Sequence, residues 1–305
     1  MALNSLAYAT QLQKKLDASA TLGLTSGWMD ANAGQVEYNG GNKIKMPDIS
    51  TTGLKDYDRD KGYPEGSVTL TLKVYEMTMD RGTSFQLDAM DIDETNFIAN
   101  ATTVVGKFQK EQVLPEIDAY RYSKLYALLK EAERMTTYTA EEKTVMDALL
   151  ADIGMIRDEI GEDIPLVISI SQKVKTILEK DDKFAKRLDV TDFKAGVINT
   201  RLKQIDNCYL KPVPSARMKT SYVFRDGKSE GQEDGGFAPG ESSKQINWII
   251  TAQDAPIAVT KQDKMKIIDP ETYQKADAWF IGYRRYHELW YPENRYKKGF
   301  VNAEG

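Results

Sequence analysis

A single histidine, His287, and a single cysteine, Cys208, narrow what chemistry this chain can perform. A structural zinc site draws its ligands mainly from Cys and His, and two such residues cannot build one within one chain. His287 stands among aromatic neighbours in YRRYHELWY. A Ser-His-Asp triad would have to use it, but no nucleophile-elbow glycine pattern occurs, so it reads as a structural histidine. Gly235 and Gly240 have phosphate-loop spacing, yet Glu241 stands where that loop needs lysine, and a carboxylate repels phosphate. Asp91 and Asp93 open DIDETNF like a calcium loop, but Asn96 and Thr102 replace its glycine and closing acid; helix capping is the better reading. Carboxylate pairs such as Glu116/Asp118 and Glu162/Asp163 could serve a glycosidase, though an acidic chain offers many. Arg284 and Arg285, with Tyr283 and Tyr286, could stack on bases, with strand-edge packing as the default. No cofactor is expected.

What must position these residues is a large α+β chain. At 305 residues there is room for two domains or one irregular one, and 41% hydrophobic with 29% charged residues argues against wholesale disorder. A net charge of −5 argues against a dedicated nucleic-acid binder. No apolar run is long enough for a membrane span, and MALNSLAYATQLQKKL lacks the pattern of a secretory signal. One cysteine fits a cytosolic origin.

Residues 1–40 read as an arm: a short helical pattern at Ala7–Leu16, then a glycine-rich stretch whose Leu22, Leu24, Trp28 and Met29 need something to rest on. Two strand patterns follow, one at Ile44 and Met46, the other at Val68, Leu70, Leu72 and Val74, with a phase shift to Met77 and Met79 that suggests a bulge. The second run of fourteen residues would span about 45 Å. With the polar stretch between them they read as a long two-stranded projection, or else as two strands of a compact sheet. An isolated hairpin is marginal in water, so a long one needs an outside support.

From Asp91 the periodicity is helical, with Phe97, Ala101, Val104 and Phe108, then Ile117, Tyr120, Lys124 and Leu128. A rod from Glu94 to Lys130 would be about 55 Å long. Pro115 interrupts it and predicts a bend or a restart, with Glu116 and Asp118 at a positive helix end. Thr139 and Glu142 form a capping box ahead of a stripe at Val145, Leu149, Ile153 and Ile156. PLVISI reads as a buried strand, Ser171 or Gln172 as the next helix start, and DPETYQK as a short helix capped by Asp269. Residues 225–244 form a polar loop, 245–269 read as strands, and the aromatic tail as a closing hairpin. Segregated helices and strands argue for α+β.

Three stretches carry a resemblance: DRGTSFQLDAMDIDET, VLPEIDAYRYSKL and YRRYHELWYPENRYKKGFVN. They resemble the major capsid proteins of tailed double-stranded DNA phages, whose Hong Kong 97-type fold is shared with encapsulin shells. The resemblance implies an N-terminal arm (1–42), an extended β-hairpin loop (43–82), a peripheral domain with a spine helix (83–161), an axial domain (162–258) and closing peripheral strands (259–305). It implies a non-enzymatic head protein, made in the bacterial cytoplasm and located in the virion capsid. Copies would assemble into pentamers and hexamers of an icosahedral shell, with a separate scaffolding protein, a portal and sparse, non-specific contact with packaged DNA. Leu54, Tyr57, Arg59, Tyr63, Trp28, Glu116, Asp118 and Arg121 are the expected inter-subunit contacts. An encapsulin-like compartment shell and a carboxylate-dependent enzyme are the alternatives.

Overall fold

The structure is a computed structural model and describes residues 23–36, 42–60, 62–88, 105–181, 188–195, 198–205, 207–268 and 270–305. The expected helix at Ala7–Leu16 and the Asp91/Asp93 helix start lie outside these residues. The centre is a seven-stranded mixed sheet in which LVISIS and INWIITA are inner strands, every residue of both being buried. Such unbroken burial is what a near-continuous apolar run predicts for a strand covered on both faces. The strands are β4 (Met135–Thr137), β5 (Leu166–Ser171), β6 (Leu188–Ala195), β7 (Ile198–Ile205), β8 (Cys208–Val213), β11 (Ile246–Ala252) and β14 (Gly299–Ala303). Their order is β4-β14-β11-β5-β8-β7-β6, so the sheet draws strands from both sides of the boundaries expected near 161 and 258.

Helices α1 (Leu114–Glu131), α2 (Val145–Ile160) and α3 (Gln172–Leu178) contribute to the core over this sheet. The stripe of α2 is as read: Val145, Leu149, Ile153 and Ile156 are buried. Its start is not. Thr139 and Glu142 precede the helix, and the first turn opens after Thr144, because the Tyr138 hydroxyl takes the Glu141 amide and bonds the Thr144 hydroxyl. Ser171 does cap α3, accepting from the Val174 amide at 3.4 Å. Asp152 on α2 accepts from Trp248, Asn302 and Thr136, one residue from each of β11, β14 and β4. Residues 270–275 form turns rather than the expected helix.

A second, three-stranded antiparallel sheet pairs β3 (Met79–Asp88), β13 (Ala278–Trp290) and β12 (Ile257–Ile268). A two-stranded hairpin joins β1 (Lys43–Thr51) to β2 (Val68–Glu76). The phase shift read in the sequence is where β2 ends and β3 begins, with Met77 and Thr78 between them. A short pair, β9 (Tyr222–Phe224) and β10 (Phe237–Pro239), closes the base of the 225–236 loop over an aromatic cluster.

Pro115 does not restart the rod. Helix runs from Val105 through α1, and the turn before the proline, Gln109–Val113, is π-helical. The Leu114 amide reaches back to the Gln109 carbonyl, five residues away. Widening the turn makes room where a proline would otherwise clash with an α-helical carbonyl.

Candidate assembly surface

Antiparallel pairing sorts the hairpin side chains onto two faces. Ile44/Tyr75 and Met46/Lys73 lie on one, while Lys45/Val74, Pro47/Leu72, Ile49/Leu70 and Thr51/Val68 lie on the other. Near the base, the first face is covered: Ile44 and Met46 join Met77, Ile257 and Trp290 in a buried cluster. Polar contacts fix the same end. Lys73 Nζ lies 2.6 Å from Glu293 and 3.4 Å from Asp48, and Asn294 donates to Asp48 at 3.1 Å. The Glu293 hydrogen bond raises the Lys73 pKa.

The second face is open. Val68 is 71% exposed and Leu70 62%, with Ile49, Leu72 and Val74 beside them in the same row. At the tip, Leu54 is 106% exposed and the Tyr57 and Tyr63 rings meet edge to face at 5.2 Å. Arg59 is exposed in the turn closed by the Gly62 amide on the Asp58 carbonyl at 2.8 Å. Gly62 has φ +82°, a conformation costly for other residues. Burying a Val, Leu or Ile side chain is worth roughly 1.5–3 kcal/mol, so this row is a strong drive toward a partner surface.

The arm behaves differently. Trp28, Asp118 and Arg121, expected at a subunit contact, are 1%, 0% and 0% exposed and are held inside their own chain. Asp118 accepts from the amides and hydroxyls of Thr25 and Ser26, at 2.6–3.2 Å, and from Arg217 at 3.0 Å. Arg121 grips Asp30 with two bonds, at 2.7 and 3.0 Å, and reaches the Ser26 carbonyl at 3.2 Å. Trp28 and Met29 then enter the main core. The sequence could not separate an arm lying on its own helix from one lying on a neighbour, because both need the same polar and apolar residues. Glu116 also pairs internally, with Arg81 at 2.7 Å. Arg81 in turn donates to the carbonyls of Arg225 and Gly236, fixing the base of the 225–236 loop to the helix. Gly235 and Gly236 sit there at positive φ, in turns that lead to β10 rather than to a phosphate-binding helix.

His287 is buried on β13, with its ring 5.5 Å from that of Tyr120. Burial, then the charges of Arg285, Arg121 and Lys124, hold its pKa well below the usual histidine value. Beside it, buried Glu288 accepts from Tyr120, Lys124, the Thr78 amide and the Thr78 hydroxyl. Burial acts to raise the Glu288 pKa, but Lys124, the Tyr120 hydroxyl and the Leu289 amide outweigh it. The cluster ties β13 to α1 and to the segment after the hairpin; sequence reasoning did not find it, and alternating aromatics around HisGlu were the only available signal. Among the described residues no group of Cys, His and acids could hold a metal ion, and no helix is long and apolar enough to cross a membrane.

No protein-family model and no curated protein matches this sequence. Solved structures do. The chain is similar to the capsid of cyanophage P-SCSP1u, with a TM-score of 0.57 at 9% identity over 88% of this chain and 85% of that one. It is similar to the mature capsid of bacteriophage PhiM1, with a TM-score of 0.54 at 12% identity over 87% and 83% of the two chains. The fold is that of phage capsid proteins. The capsid of Ralstonia phage GP4 agrees, with a TM-score of 0.52 at 8% identity over 87% and 84%. At such identities the shared property is the phage capsid fold itself, here a mixed arrangement of helices and sheets.

Proposed function

We propose that this chain is a major capsid protein whose copies assemble, without catalysis, into the pentamers and hexamers of an icosahedral shell around a double-stranded DNA phage genome. The supporting observation is the hairpin: its base is clamped and its outer apolar row is uncovered, on a fold shared with phage capsids. Contacts of this kind are heterologous and close into rings around rotation axes. Many hairpins engaged at once give an avidity that no single contact supplies. Residues 43–82 then form the extended loop, the helix through α1 the spine, 162–258 the axial domain, and the remainder the arm and peripheral domain. Leu54, Tyr57, Arg59 and Tyr63 are the tip contacts to a neighbouring copy. A scaffolding protein and a portal are the further partners of this reading, and the virion is its location.

The test is to replace residues 53–66 by a short glycine turn and examine purified protein by negative-stain microscopy and light scattering. The full chain should give capsomers or closed particles, and the shortened chain a folded small species. A shortened chain that assembles normally overturns the reading. Particles carrying protein cargo rather than nucleic acid would point instead to an encapsulin-like compartment.

A further inference from the structure

The three-stranded sheet has two unlike faces. On the inner one, Phe85 and Tyr283 meet Phe108, Ile281 meets Val105, and Asp263 takes a hydrogen bond from Arg285 at 2.7 Å. The outer face carries Gln262, Lys264, Lys266 and Ile268 of β12, Phe280, Gly282, Arg284 and Tyr286 of β13, and Asp80, Gly82, Ser84 and Gln86 of β3.

This outer face is cationic in a chain of net charge −5. Lys261, Lys264, Lys266 and Arg284 are exposed, and Lys261 lies over the Tyr286 ring at 5.4 Å. The acids on the face are Asp80, which Arg284 holds at 2.5 Å, and Asp88 at the far end. Lys264 and Lys266 form no ion pair among the described residues. Lys264 sits directly across from Arg284, and like charges facing each other across a ladder work against the pairing. Beside these cations the side chains are small. Gly82 lies in the row of Lys264 and Arg284, and Gly282 and Ser84 lie in the row of Lys266. Both glycines are sterically required: an added Cβ would come 2.8 Å from the Tyr283 carbonyl at Gly82, and 2.9 Å from the Phe280 ring at Gly282.

We propose that this outer face, centred on Lys264, Lys266 and Arg284, is a docking surface for the phosphate backbone of double-stranded nucleic acid. It rests on the shell reading and deepens it, by naming the face turned toward the enclosed polymer. A duplex presents one charge per about 1.7 Å of its axis as a stiff rod. It needs cations and small hydrogen-bonding groups along an open stretch, and the part of β12 from Lys261 to Ile268 that carries the exposed lysines is roughly 25 Å long. A protein partner would instead want free aromatic or aliphatic anchors for its pockets; here the Phe280 ring is stacked on Tyr273 and Tyr286 is packed on the hairpin base, and the rows of Lys264 and Lys266 between them present lysine, arginine, glycine and serine. Such contacts position a backbone and read no sequence.

The experiment measures binding of a random-sequence DNA duplex to the full chain, kept below its assembly concentration, over a range of salt. K264E/K266E is compared with K143E/K228E, an equal charge change at other exposed lysines. The first pair should weaken binding about tenfold or more and lower the log affinity–log salt slope by about two, at close to 0.9 per phosphate contact; the second should do neither. Equal effects from both pairs, or none from K264E/K266E, overturn the proposal. So does competition by polyglutamate as effective as that by DNA at equal charge. Microscopy of the same preparations separates the two ideas: shells from the full chain with unchanged DNA affinity in K264E/K266E sink this inference alone. A lost affinity in K264E/K266E with no shells in any preparation counts against the shell reading alone.

Discussion

The arm at 23–36 and the hairpin at 43–76 look alike in sequence, each a slender segment with apolar residues and turn-formers ahead of the long helix. Their fates are opposite. In the arm, Trp28 and Met29 are in the main core, and its polar contacts end on Asp118 and Arg121 of α1. In the hairpin, the apolar row from Val68 to Val74 faces outward, and the side-chain polar contacts to the rest of the subunit, such as Lys73 with Glu293 and Asn294 with Asp48, lie toward the base. One segment completes its own subunit, and the other is complete only against something else. What separates them is not hydrophobicity but whether the subunit offers matching polar partners along the segment's length.

That contrast can be broken or sharpened by substitution. The largest effect is expected from Asp118→Ala, which leaves buried donors of Thr25, Ser26 and Arg217 without their acceptor; a loss of about 3–5 kcal/mol should appear in urea unfolding. A loss below about 1 kcal/mol would mean that the arm is not anchored there. Leu70→Ser should cost assembly about 1.5–3 kcal/mol per hairpin contact while leaving unfolding of the subunit nearly unchanged, read by light scattering against concentration and by thermal unfolding. Equal losses in both would place Leu70 in a core.

A smaller effect is expected from pH. The His287 pKa lies below 6.5 in the folded chain and near it in the unfolded one. The unfolded state therefore binds the extra proton below that pH, and stability falls as the solution is acidified from about pH 6.5. His287→Asn should remove up to about 1.4 kcal/mol per pH unit of that slope, measured as the midpoint of urea unfolding at successive pH values. The smallest effect is expected from Lys73→Met. It releases an exposed tether, so unfolding should hardly change, while hydrogen exchange of residues 68–76 should quicken. No change in exchange would show that the buried cluster at Ile44 and Met46 holds the hairpin alone.

Much of the architecture was legible. PLVISI announced an inner strand, the Val145–Ile156 stripe a core helix, and the alternation from Val68 to Val74 a strand. The sequence pattern did not say that this last row would face solvent, because alternation marks two faces without saying which one is covered. Thr139/Glu142 failed as a cap since the Tyr138 hydroxyl claimed the local groups first. Of the expected contacts, Leu54, Tyr57, Arg59 and Tyr63 are exposed, whereas Trp28, Asp118 and Arg121 turned inward through partners 90 or more residues away in sequence for Asp118 and Arg121. Tertiary partners at such separations leave no periodic trace.

The wide turn ahead of Pro115 has a geometric consequence. A bond spanning five residues instead of four accommodates one extra residue, and each residue of an α-helix advances the rotation by about 100°. The rod therefore changes phase at that point. Upstream, Val105 and Phe108 address the three-stranded sheet; downstream, Ile117 addresses the arm, and Tyr122, Leu125 and Leu129 address the seven-stranded sheet. One helix thereby bears on both sheets, and beyond the wide turn Tyr120 and Lys124 still reach His287 and Glu288 of β13.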